Sequence, residues 1–108
     1  MGATHQMAAL GDATRRKIVD VLLVRPCSVA DIAQQLPISR PAVSQHLRVL
    51  KDAGLVVLRS EGTRNIYQLD PQGLAALRDY LDSMWETALG QFKTRAERAS
   101  PQRKEKRK

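Results

Sequence analysis

The run Ser39-Arg-Pro-Ala-Val-Ser-Gln-His-Leu-Arg-Val-Leu-Lys-Asp-Ala-Gly54 decides the fold. It opens on a residue suited to cap a helix and places Pro41 in the first turn, where a missing N–H costs nothing. It closes on Gly54, a residue suited to a left-handed stop. At about 100° per residue, Val43, Leu47 and Leu50 share one face, while Ser44, Gln45 and Arg48 fall largely opposite. The run holds a single acid, Asp52, near its end. A free surface helix usually carries acids as well. A short helix whose outer face offers hydroxyl, amide and guanidinium groups is what the major groove of DNA accepts.

Working outward, the preceding segments read as three helices. Met7-Ala-Ala-Leu10 forms a short helix stopped by Gly11. Asp12 then caps a helix over 13–24, in which Ile18, Val19, Leu22 and Leu23 recur at helical spacing and which Pro26 ends. Ser28 and Asp31 stand at capping-box spacing, with Asp in place of the usual Glu or Gln, and open a helix over 29–36 that turns Ile32, Ala33 and Leu36 inward. Pro37 breaks it. Two short helices joined by a turn of about three residues have helix-turn-helix spacing.

Beyond Gly54 the period changes. Leu55-Val-Val-Leu-Arg59 is a β-branched, apolar strand, Ser60-Glu-Gly-Thr63 is turn chemistry, and Asn65-Ile-Tyr-Gln-Leu69 alternates as the return strand. Asp70-Pro71 starts a last helix, expected to run to about Arg95, along which Leu74, Leu77, Leu81, Met84, Ala88 and Phe92 step by three or four residues. Tyr80, Trp85 and Leu89 widen that stripe. The fold expected is mainly α with one β-hairpin, in the order α-α-α-α-β-β-α. Residues 1–97 form a single domain and residues 98–108 a disordered basic tail.

Charge sharpens this division. The 108 residues carry a formal charge of +7, with 43% hydrophobic and 4% aromatic residues, which suits one helical core of Leu, Val, Ile and Ala. Residues 98–108 hold six basic residues and one acid. Residues 39–64 hold five basic and two acidic, while 70–97 hold three basic and five acidic. One positive face beside a neutral-to-acidic helix is the asymmetry of a nucleic-acid binder. No signal peptide is expected, no apolar run reaches bilayer length, and the single Cys27 excludes an internal disulfide, so a reducing cytoplasm and no membrane partner are expected. There is no glycine-rich phosphate loop, nucleophile–base pair or ligand triad, so no catalytic residue, cofactor or metal is assigned.

Three local runs carry a resemblance. Leu10-Gly-Asp-Ala-Thr-Arg-Arg-Lys-Ile18, the Ser39–Val56 run with Val43, Ser44, His46, Leu47, Leu50, Ala53, Gly54 and Leu55 in place, and Gly62-x-x-x-x-Tyr67-x-Leu69 together resemble the ArsR family of bacterial transcriptional repressors over about residues 6–92. The resemblance implies a winged helix-turn-helix, a homodimer, a pseudo-palindromic DNA operator and repression by blocking a promoter. Metal-sensing members carry Cys-Val-Cys-Asp-Leu on the third helix, whereas the matching run here is Ser28-Val-Ala-Asp-Ile32. The last helix offers Asp79, Asp82 and Glu86 but no histidine, so the resemblance is to a member without the known metal sites. A metal- or redox-responsive repressor, or a winged-helix module for protein or RNA, are the alternatives.

Site residues follow. Gln45 and Arg48 are expected at base edges, as adenine and guanine readers; the alternative is solvated polar residues on an exposed helix. Ser44 and Arg40 are expected at phosphates, Lys51 among the DNA-binding residues, Arg59 and Arg64 on the wing at minor groove or phosphate, with a solvated hairpin as the alternative, and Arg16 at phosphate near the start of its helix. For Arg15 and Arg16 the alternative is a salt bridge to Asp12 or Asp52. His46 is expected half-buried at the helix-turn-helix seam, and Cys27 as a packing residue rather than a redox sensor. Leu77, Leu81, Met84, Trp85 and Ala88, with Met7 and Leu10 of the first helix, are expected at a dimer seam.

Overall fold

The computed structural model describes residues 3–99. The element order is α1 (Ala3–Ala9), α2 (Ala13–Val24), α3 (Val29–Gln35), α4 (Arg40–Asp52), β1 (Val56–Glu61), β2 (Arg64–Leu69) and α5 (Pro71–Ala99). This is the mainly helical winged helix-turn-helix expected from the sequence. The chain divides into two units, Met1–Leu77 and Arg78–Lys108.

The first unit is built around α4. Its predicted face is the centre of the core, where Val43, Leu47 and Leu50 are completely buried with Ile18 of α2, Ile32 of α3 and Leu55. Each such aliphatic side chain contributes about 1.5–3 kcal/mol relative to an exposed one. Ser39 caps α4 by accepting the Ala42 N–H. The helix ends in a Schellman arrangement: Leu55 N–H donates to the Leu50 carbonyl and Gly54 N–H to the Lys51 carbonyl, with Gly54 at φ +81°. Both capping-box bonds predicted for α3 are present.

β1 and β2 pair antiparallel from Val56↔Leu69 to Glu61↔Arg64. Ser60 and Glu61, expected in the turn, belong to the strand. Only Gly62 and Thr63 connect the strands, because Gly62 at φ +63° supplies the positive first position that a two-residue hairpin loop needs. Cys27 adds a third, one-residue rung: its N–H donates to the Tyr67 carbonyl and the Tyr67 N–H donates back, at 3.0 and 2.8 Å. The turn before α3 is thereby stitched to the wing. Cys27 itself is buried, with Sγ against the Arg25 carbonyl, as a packing residue would be.

Other expectations change in detail. Asp12 precedes α2 but makes no side-chain cap bond, since its carboxylate faces Arg15 and His46 instead. Leu23, which shares the helical spacing of Ile18, Val19 and Leu22, is 64% exposed, because the core takes Ile18 and Leu22, with Val19 and Val21 flanking, and Leu23 is turned away. α1 begins at Ala3, earlier than Met7, and α5 runs to Ala99 rather than about Arg95. Arg98 is therefore helical rather than part of a tail, and the rest of the expected tail, 100–108, lies outside the described residues.

Gln6 of α1 is buried and its Nε2 donates to the Ala53 carbonyl at 2.6 Å, tying α1 to the C-cap of α4. Its Oε1 is buried without a partner among the described residues. Truncation removes the donor for a buried carbonyl but also removes that orphan acceptor. Gln6→Ala is expected to destabilise the fold by about 1–3 kcal/mol, as read by chemical unfolding. A smaller loss would mean that the orphan oxygen offsets the bond.

The second unit, as far as it is described, is the continuation of α5. Tyr80, Leu81, Met84, Trp85, Leu89 and Phe92 are exposed along it, Trp85 and Phe92 at 64% and 69%. Ala88 is exposed in the same run. The i, i+3/i+4 stripe legible in the sequence is thus an uncovered apolar face of the single chain, of a kind soluble monomers avoid. No described helix is long and apolar enough to cross a membrane.

Candidate nucleic-acid interface

Burying one side of α4 leaves the other side to solvent. Arg40, Ser44, Gln45, Arg48 and Lys51 are all exposed. Among the described residues none of these five side chains is held in a hydrogen bond or salt bridge. Their donors therefore remain available for an external ligand.

The other predicted basic residues are engaged. Arg15 Nε donates to the Ala9 carbonyl at 2.7 Å and Arg16 Nη1 to the Leu10 carbonyl at 2.8 Å, so both guanidinium groups satisfy carbonyls at the end of α1. Arg15 also lies 3.6 Å from Asp12, the ion pair that the sequence allows as its alternative. Arg16 stays exposed, with donors beyond the one on Leu10. His46 is half-buried, its Nδ1 3.5 Å from Asp12 Oδ2 and 3.4 Å from Arg15 Nη1, which joins α4 to the start of α2. On the wing, Arg59 bonds Gln68 Oε1 and pairs with Glu61 at 2.8 Å.

Arg64 leaves the hairpin and reaches α3. Its Nη2 lies 3.0 Å from Asp31 Oδ2 and 3.2 Å from Ser28 Oγ. Sequence reasoning finds Ser28 and Asp31 as a cap but misses this partner, because no local pattern links residues 33 and 36 positions apart. The Ser28 N–H donating to the Asp31 carboxylate, then the Ser28 hydroxyl, hold that carboxyl below its ordinary value of 3.8, and the Arg64 cation adds to the effect. A value lower in the folded than in the unfolded chain means stability present at neutral pH and lost as pH falls through the depressed titration point. The Asp31 side-chain carbon resonance is expected to titrate with a midpoint below 3.8. In Arg64→Gln the midpoint should rise only in part, since the Ser28 bonds remain. A midpoint at or above 3.8 in the parent would contradict the assignment.

A helix-turn-helix whose second helix offers unpaired donors, flanked by a two-stranded wing, defines a DNA-binding protein of the winged-helix class. The model of the bacterial regulatory protein arsR family matches residues 12–57, which span α2 to the start of β1. The chain is 60% identical over 81 residues to the HTH-type transcriptional regulator Rv2034 of Mycobacterium tuberculosis, covering 75% of this chain and 76% of that one. It is 39% identical over 62 residues to the transcriptional repressor SdpR of Bacillus subtilis, covering 57% and 69%. It superposes at a TM-score of 0.64, with 29% identity and 80% of each chain covered, on the solution structure of the homodimeric winged helix-turn-helix DNA-binding domain of a possible ArsR-family regulator from Mycobacterium bovis. The chain belongs to the ArsR family: it is a DNA-binding transcription regulator and not an enzyme.

Proposed function

We propose that two copies of the chain bind a pseudo-palindromic operator and repress transcription by occupying the promoter, in the cytoplasm. The observation that carries this is the α4 surface: Arg40, Ser44, Gln45, Arg48 and Lys51 exposed and unpaired among the described residues, on a helix whose opposite face is completely buried. In this reading α4 lies in the major groove. Gln45 and Arg48 reach base edges, while Arg40, Ser44 and Lys51 fix register on phosphates. Arg59, Arg64 and Arg16 add backbone contacts through donors that their intramolecular bonds leave free.

The α5 stripe, with Leu77, Leu81, Met84, Trp85 and Ala88, pairs with the same stripe of a second copy. Met7 and Leu10 of α1 belong to the same dimer contact. The uncovered apolar run on α5 and the homodimeric relative support this part of the proposal. The name of the Bacillus subtilis relative supports repression rather than activation.

Footprinting on the chain's own upstream DNA tests the proposal. Two protected half-sites about one helical turn, or a whole multiple of it, apart are expected. A shift of random and upstream DNA with equal affinity at every salt concentration would reject it. A metal-sensing version finds no support at the positions matching the family's thiols: Ser28 and Ala30 stand there, and Ser28 is committed to its cap and to Arg64.

A further inference from the structure

Among the described residues, hydrogen bonds join the wing to the helix-turn-helix at two places that serve different ends. The backbone pair between Cys27 and Tyr67 fixes where β2 lies. The bonds from Arg64 Nη2 to Asp31 Oδ2 and Ser28 Oγ fix where one side chain at the start of β2 points. Nη2 alone is used. Nε and both hydrogens of Nη1 have no partner among the described residues, and the side chain remains 57% exposed. A free arginine on a hairpin tip samples many rotamers and gives up that rotamer entropy when a ligand fixes it. Here one nitrogen is held by a carboxylate that the capping box itself keeps in place, while the remaining donors stay open to solvent.

The geometry points to Asp31 as a positioning residue: with Ser28 it holds one nitrogen of the Arg64 guanidinium so that the remaining donors are set in advance for a DNA phosphate. This rests on the DNA-reading proposal above. It extends that proposal by assigning a role in DNA affinity to an acid on α3, a residue type that would otherwise oppose a polyanion. Charge alone predicts that neutralising Asp31 strengthens binding everywhere, whereas positioning predicts that it weakens binding as long as Arg64 is present.

The test is a double-mutant cycle on the full chain, with a fluorescently labelled operator fragment titrated at several salt concentrations. Asp31→Asn keeps one oxygen to accept from both the Ser28 N–H and Arg64 Nη2 but removes the charge that strengthens the bond to Arg64, and is expected to lower operator affinity about three- to tenfold. Arg64→Gln is expected to lower it at least as much and to flatten the log–log salt dependence by about 0.9 for each phosphate no longer neutralised. In the Arg64→Gln background, Asp31→Asn should no longer weaken binding and should slightly strengthen it. Arg64→Lys leaves α3 untouched and keeps the charge. It should lose affinity about as much as Asp31→Asn, because a compact ammonium lacks the planar fork.

Asp31→Asn binding as tightly as the parent or tighter, or Arg64→Lys binding like the parent, would overturn the proposal. An unchanged affinity and salt slope in Arg64→Gln would overturn it too. None of these results touches the reading by α4, which Arg48→Ala and Gln45→Ala test separately. If those two variants also bind like the parent, the broader DNA-reading proposal fails first.

Discussion

Arg48→Ala is expected to weaken operator binding by about 1–3 kcal/mol, roughly five- to 150-fold, while leaving binding to random DNA nearly unchanged apart from the removal of one charge. The asymmetry follows from where the side chain stands. Arg48 is exposed on the outer face of α4, one position from the completely buried Leu47, and makes no hydrogen bond or salt bridge among the described residues. Its removal costs the folded chain almost nothing, so the unfolding transition should not move. Gln45→Ala, one turn earlier on the same face, should behave alike, and the double variant should lose most discrimination between operator and random sequence. The comparison to make is the ratio of the two affinities at fixed salt, since phosphate contacts raise both together. Equal losses on both DNAs would reassign Arg48 to the phosphates.

Gly73→Ala carries the largest expected effect on stability. Gly73 lies in the first turn of α5, and a Cβ there would overlap the Gly54 carbonyl oxygen and stand 2.8 Å from the Gly54 carbonyl carbon. The obstacle is backbone, and it is the same left-handed glycine that ends α4. Neither side can yield by changing a rotamer. Helix propensity favours alanine over glycine by about 1 kcal/mol, but the overlap outweighs it. Overpacking of this kind costs about 1–3 kcal/mol, more where the surroundings cannot give. A net loss of about 2 kcal/mol or more is expected, read as a drop in Tm of about 10 °C. An unchanged or higher Tm would show that the start of α5 can move away from Gly54.

Much of what neighbours in the chain govern is legible in the sequence: the Ser39 cap, the Pro41 turn, the Gly54 stop and the buried face of α4, which together place the donors outward. The same holds for the α3 capping box and for the apolar stripe on α5. What is not legible depends on distant backbone or on competition for one group. Asp12 looks like a cap, yet His46 and Arg15 take its carboxylate. Arg64 looks like a free wing cation, yet α3 holds it. Gly73 looks like an ordinary helix residue until the end of α4 arrives against it. Leu23 matches the helical period but sits just past the side that the core takes.

The rung between Cys27 and Tyr67 makes the return strand intolerant of added length. A residue inserted at the Gly62-Thr63 tip would only lengthen a loop that has open space beside Gly62. One inserted between Ile66 and Tyr67, with Tyr67 held by the rung, would carry Ile66 from the interior to water, because neighbouring side chains on a strand point to opposite faces. Among descendants of this chain, therefore, hairpins should grow and shrink at their tip while the distance from Ile66 to Asp70 stays constant.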